Sequence, residues 1–131
     1  AHKRVLMTLD RIAKVVAATK TYDRYFVNLA VGYGGREEIT DAVRSIARDI
    51  ESGRLRARDV SEETIEQHLY LSSEPDLIIR TSGEQRTSNF LPWQSSYSEW
   101  YFSPKLFPDF SKTDLVAALQ DYATRDRRFG R

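Results

Sequence analysis

Apolar positions recur along the chain with two spacings, and their alternation outlines the molecule. Val5, Leu9, Ile12 and Val16, flanked by Leu6 and Ala13, repeat at helical spacing and predict an amphipathic helix over His2–Ala18. A polar turn at Lys20–Arg24 leads into Tyr25–Val31, which is almost continuously apolar, as a strand buried on both faces would be. Asn28 lies inside that run, where a buried amide needs a hydrogen-bond partner. Ile39, Val43, Ile46 and Ile50 mark a second amphipathic helix over Glu38–Glu51, with Gly53 as its left-handed cap. Charges of alternating sign from Arg48 to Asp59 predict an exposed connector. Ser61 suits an N-cap and Glu62 and Glu63 a first turn, so a short helix follows to about His68. Asp76–Arg80 is short, branched and preceded by Pro75, which predicts a buried strand. Pro92 fits the first turn of a helix, and Trp93, Tyr97 and Trp100 fall at core-like spacing. Glu99–Phe102 forms a further short strand, and Ser111-Lys-Thr-Asp114 caps a last helix with Leu115, Leu119 and Tyr122 as its buried stripe. Arg125, Arg127 and Arg128 crowd the end of that helix, where cations suit its dipole. Helices alternating with apolar strands predict an α/β fold, a parallel sheet of about three strands flanked by helices.

Composition narrows the function classes. The 131 residues make one small domain or part of one, and a net charge of +1 argues against a dedicated nucleic-acid surface. With no cysteine there is neither a disulfide framework nor a thiolate zinc site, and His2 and His68 are too far apart in sequence to suggest a histidine metal cluster. No apolar run approaches the length of a membrane span. The expected class is a soluble, cytoplasmic globular domain.

The candidate chemistry sits in Asp76-Leu-Ile-Ile-Arg-Thr-Ser-Gly-Glu-Gln-Arg-Thr-Ser-Asn89. A strand runs into a polar loop, and in open α/β sheets ligands bind beyond the carboxyl ends of strands. The guanidinium forks of Arg80 and Arg86 match diphosphate oxygens, Ser82, Thr87 and Ser88 add hydroxyls, and Gly83 lets backbone approach closely. The plain alternative is a solvated loop whose arginines pair with Glu84 or Glu99. Gly32-Tyr-Gly-Gly-Arg-Glu-Glu38 is a second glycine-rich turn. It is neither a dinucleotide fingerprint nor a Walker loop, and tight helix–strand packing explains its glycines as well as phosphate contact does. Arg36 pairs locally with Glu37 or Glu38, or supports the site.

Four ordered segments resemble the cis-prenyltransferases, the undecaprenyl or decaprenyl diphosphate synthase family. They are the loop just described, Asn28 to Arg36 with Glu38-Ile39, Ser88-Asn-Phe-Leu-Pro-Trp-Gln94 running on to Glu99-Trp-Tyr-Phe102, and Phe107-Pro-Asp-Phe110 with Arg127-Arg-Phe-Gly130. The resemblance implies an enzyme that joins isopentenyl diphosphate to an allylic diphosphate, such as farnesyl or geranylgeranyl diphosphate, to make a long-chain polyprenyl diphosphate. It implies that Arg80, Arg86 and Ser88 bind isopentenyl diphosphate, that Glu99 is a ligand of Mg2+, and that Arg128 and Gly130 reach the diphosphate, often across a homodimer interface. Asn28, Arg36, Gly83 and Glu84 fall into supporting places, and Gln85 stands where many bacterial members carry histidine. The family's Asp-Gly-Asn-Gly-Arg loop, which supplies a catalytic aspartate, is absent from these residues. The expectation is therefore the carboxyl-terminal portion of one catalytic domain over 1–131, inactive alone, cytoplasmic or peripheral to a membrane. The competing expectation is a non-catalytic partner subunit of a heteromeric cis-prenyltransferase, against which the intact Arg80, Arg86, Ser88 and Glu99 set argues.

Overall fold

The computed structural model describes residues 2–126, with side chains from Asp10 onward. The chain divides into two compact units, Ala1–Val31 and Gly32–Arg131.

The first unit holds helix α1, His2–Thr19, within a residue of the length its periodicity predicts. Its unit offers it no second element to pack against, and accordingly Val16 is 62% exposed where burial was expected. The strand expected at Tyr25–Val31 does not form. The segment carries no regular structure, Phe26 and Val27 are 80% and 84% exposed, and Asn28 is exposed with them. The physical reason is that a strand exists only by pairing, and no strand lies beside this one among the described residues.

The second unit carries α2 (Gly35–Glu51), α3 (Glu62–His68), β1 (Leu77–Arg80), β2 (Glu99–Phe102) and α4 (Lys112–Ala123). β1 and β2 form a parallel pair in the register Leu77↔Glu99 to Arg80↔Phe102, so the sheet has two described strands in place of about three. The core among the described residues is Ala42, Ile46, Leu69, Ile78 and Ala118.

Local signals decide the helix ends. Ser61 and Ser111 each accept the backbone N–H three residues on, and Thr64 and Asp114 return the bond, closing capping boxes on α3 and α4. Gly53 takes the left-handed conformation at φ 75° just past α2. The helix expected at Pro92 is instead a run of turns, in which Ser95 N–H reaches Leu91 O at 2.9 Å. Leu115 and Leu119, expected in the core, are 41% and 49% exposed, and the buried residue of α4 is Ala118. No described helix is long and apolar enough to cross a membrane.

Candidate functional site

β1 delivers Arg80 to its carboxyl end, and the chain then turns sharply. Ser82 N–H donates to Lys105 O at 2.6 Å and Gly83 N–H to Ser103 O at 2.9 Å, so the first residues of the loop are clamped onto the segment after β2. Ser82 and Gly83 both have positive φ, at 74° and 72°, which only glycine adopts freely. Further along, Ser88, Asn89 and Leu91 are left-handed too, at 48°, 63° and 46°. Non-glycine residues in that region cost roughly 1–3 kcal/mol each and persist where their surroundings hold them, which happens most often at binding sites.

A cavity of about 300 Å³ opens at this loop, lined by Ile78, Arg80, Ser82, Thr87, Phe90 and Trp100 among others. Arg80 Nη1 donates to Arg86 O at 2.5 Å, while Arg80 Nε is buried without a partner. Leaving a buried donor unsatisfied costs about 1–3 kcal/mol, and more for a charged group. The arrangement therefore presents a half-satisfied guanidinium beside hydroxyls, over an apolar floor. Chemically it suits an anion carrying a small hydrocarbon group. Arg86 itself is exposed and paired with Glu84, the local ion pair that sequence offered as the plain alternative.

The glycine-rich turn before α2 does a different job from phosphate binding. Gly35 N–H donates to Asn89 O at 2.9 Å, and Arg36 N–H donates to Asn89 Oδ1 at 2.9 Å. A Cβ on Gly35 would lie 2.0 Å from Pro92 Cδ and 2.5 Å from its Cγ, so only glycine admits this approach. These first amides of α2 are thus spent on Asn89, and the Arg36 side chain is exposed. Beneath them Glu38 is fully buried. Its carboxylate accepts from Tyr33 Oη at 2.5 Å, Tyr70 N–H at 2.9 Å and Gln94 Nε2 at 3.1 Å. Burial, and then the hydrogen bond to Glu38, push the Tyr33 hydroxyl far above its ordinary range.

Glu99 is placed elsewhere. The strand register puts it beside Leu77, three residues from the Arg80 end, and alternation points it to the opposite face. Its Oε2 accepts from Arg125 Nη1 at 2.7 Å, and Arg125 also donates to Trp100 O at 3.1 Å and to Asp121 Oδ2 from Nε at 3.0 Å and from Nη2 at 2.6 Å. Hydrogen bonds to Glu99 and then Asp121 hold the Arg125 guanidinium above even its ordinary value. Magnesium takes carboxylates with phosphate oxygens and water. Among the described residues no group of three or more His, Cys, Asp or Glu meets to hold a metal, and Glu99 is the one carboxylate the sequence offered for magnesium. The structure thus brings Arg80, Ser82 and Thr87 together, keeps Glu99 apart and leaves Arg128 and Gly130 outside the described residues. Sequence reasoning assigned no role to Asn89, Tyr33, Gln94 or Phe90. Three of these lie in quoted motifs near the loop, but their partners come from distant stretches.

The family model "Putative undecaprenyl diphosphate synthase" matches residues 5–130. The chain belongs to this family, the cis-prenyltransferases. It is 48% identical over 135 residues to an isoprenyl transferase of Streptococcus agalactiae, an alignment covering 98% of this chain and 54% of that protein. It is 51% identical over 129 residues to that of Streptococcus thermophilus, covering 94% and 52%. Among solved structures, the lavandulyl diphosphate synthase of Lavandula x intermedia, in complex with dimethylallyl diphosphate, superposes with a TM-score of 0.87 at 47% identity, covering 94% of this chain and 54% of that one. A probable undecaprenyl diphosphate synthase of Campylobacter jejuni gives 0.76 at 38% identity, covering 93% and 55%. This cis-prenyltransferase chain spans about half the length of the curated relatives it matches.

Proposed function

We propose that this chain carries the isopentenyl-diphosphate side of a prenyl transfer, in which isopentenyl diphosphate condenses with an allylic diphosphate to lengthen a polyprenyl diphosphate. The observation that carries the reading is the buried, unpartnered Nε of Arg80 at a cavity that Thr87 also lines, with the Ser82 hydroxyl beside it donating to Thr81 O. A diphosphate oxygen would satisfy that donor once the Arg80 side chain turns it toward the cavity, and the guanidinium fork would grip it through charge-assisted bonds. The apolar side chains of Ile78, Phe90 and Trp100 would take the five-carbon tail. Arg86 and Ser88 join the diphosphate in this reading, which requires Arg86 to leave Glu84. Holding isopentenyl diphosphate in one orientation is positioning work, and fixed cations stabilise charge on diphosphate oxygens.

The allylic diphosphate, the homodimer and the reach of Arg128 and Gly130 to the substrate belong to the same proposal, on the strength of the family. Magnesium enters it only through Glu99, whose carboxylate Arg125 holds. Support for diphosphate binding at Arg80 is independent of that metal.

The test is calorimetric titration of isopentenyl diphosphate into this chain, with and without magnesium, and into Arg80→Ala. The expected result is binding that weakens roughly 10- to 100-fold in the variant, because hydrogen bonds to charged groups contribute about 1.5–3 kcal/mol. Unchanged affinity in Arg80→Ala would overturn the assignment. A prenyl-transfer assay on the same sample is expected to show no turnover, since the sequence holds no Asp-Gly-Asn-Gly-Arg loop. Turnover would refute the half-site view and leave the substrate class standing.

A further inference from the structure

The Glu84–Ser88 stretch hangs between two clamps. One is the pairing of Ser82 and Gly83 with the segment after β2. The other is Asn89. Its backbone carbonyl accepts from Gly35 and its side-chain Oδ1 from Arg36, so a single residue satisfies two amides in the first turn of α2. It does this at φ 63°, between Ser88 at 48° and Leu91 at 46°. Asparagine is among the few residues with a Cβ that adopt this conformation readily. Next to it Phe90 N–H donates to Thr87 O at 3.0 Å, and the Phe90 ring meets Tyr33 edge-on with centroids 5.7 Å apart. The neighbours that hold Asn89 are themselves firm: Gly35 lies against Pro92, and Tyr33 is bonded to the buried Glu38.

We propose that Asn89 is a positioning residue for the anion site, acting through the backbone of Ser88 and Arg86 by fastening the loop to the first turn of α2. It touches no ligand in this scheme. Its side-chain bond selects the left-handed turn that keeps Thr87 and Phe90 at the lining of the Arg80 cavity. A loop pinned at only one end would sample many arrangements, and a ligand would have to order it at a cost in affinity. The proposal rests on the diphosphate reading of the cavity.

Asn89→Gly keeps the positive φ and removes Oδ1 with its bond to Arg36, while also freeing the backbone, so it is read against Asn89→Asp, which restores the acceptor on a less flexible residue. Asn89→Asp keeps the acceptor and tolerates the same backbone. Inorganic pyrophosphate is the probe, titrated well below the melting temperature of each variant, with amide hydrogen exchange read at Arg36 and over residues 84–88. Asn89→Gly is expected to bind pyrophosphate roughly five-fold more weakly, the equilibrium factor of about one hydrogen bond, with faster exchange at those amides. Asn89→Asp is expected to restore protection at Arg36, the readout that isolates the bond, while its added negative charge beside the anion site offsets part of the regained affinity. Pyrophosphate binding in Asn89→Gly equal to that of the unaltered chain would overturn the positioning role while leaving the cavity as an anion site. So would weakened binding without any change in exchange at residues 84–88. Failure of the unaltered chain to bind pyrophosphate would instead overturn the diphosphate reading, and the positioning role with it.

Discussion

Glu38 shows how a single side chain can organise the ground beneath a site. It is fully buried, and the partners seen at its carboxylate are three donors: a phenol, a backbone amide and a glutamine amide. Gln94 Nε2 also donates to Leu71 O at 2.9 Å, so this network ties the start of α2 to the residues after α3 and to the turns before β2. Glu38→Ala would take the partner from Tyr33 Oη and Tyr70 N–H and leave Gln94 Nε2 with Leu71 O alone, and a buried polar group left unpaired costs about 1–3 kcal/mol. A total loss of several kcal/mol in a urea melt is the expected outcome, with Glu38→Gln, which keeps one acceptor oxygen, losing clearly less. Equal losses in the two variants would mean that packing volume, not hydrogen bonding, makes Glu38 necessary. Little of this was legible in sequence. Glu38 sits among charged neighbours at a helix start and looks like a local partner for Arg36; its real partners are 5, 32 and 56 residues away. The position of Arg80 at the end of β1, where the loop begins, was legible for the opposite reason. Its strand, its loop and its glycine are contiguous, and contiguous chemistry is what a linear pattern displays.

The same distinction separates the elements that were foreseen from those that were not. The caps at Ser61 and Ser111 and the left-handed Gly53 are short-range events, and all three form as the residue types predict. The stripe of α4 was misjudged because burial depends on what lies opposite, and the residue of α4 that reaches full burial is Ala118. α2 and α3 illustrate a contact between elements that sequence left blank. His68 Nε2 lies 2.9 Å from Asp49 Oδ2, and its Nδ1 lies 2.7 Å from Thr64 O. The bond to Asp49, followed by that to Thr64, raises the imidazole above its ordinary 6.5, and the bond from His68, followed by that from Arg54, lowers Asp49 below its ordinary 3.8. For the histidine, the stabilisation is complete below 6.5 and is lost as pH rises through the raised value. For the aspartate it is complete above 3.8 and is lost as pH falls through the lowered value. The link is therefore at full strength between about pH 4 and 6.5. Melting temperatures of the chain and of His68→Gln should differ most near pH 5.5 and converge toward pH 9. A gap that stays constant from pH 5 to 9 would rule out the charged pair.

At the scale of the whole molecule, the two units differ in how far they can satisfy themselves. Every paired strand, both capping boxes and every buried apolar residue among those described lie between Gly32 and Asp126. The first unit has one helix followed by Tyr22, Tyr25, Phe26, Val27, Leu29 and Val31, all more than 60% exposed. The composition of that segment says strand, and the expectation failed because composition specifies a preference while pairing requires a neighbour. Exposed backbone with large apolar side chains and no ladder is where a protease gains access first. Limited digestion with chymotrypsin should therefore cut at Tyr22, Tyr25 or Phe26 before Trp100 or Tyr101 in the second unit. Tyr101 and Trp100, which are equally good cleavage residues, are protected by their place in β2. The product beginning near Val27 should keep a cooperative thermal transition, because the residues that make up the described core remain in it. Early cleavage at Trp100 or Tyr101 would mean that a two-stranded sheet and its helices are too weak to hold β2 in place. Loss of the transition after cleavage at Phe26 would mean that the second unit's stability depends on residues before the cut.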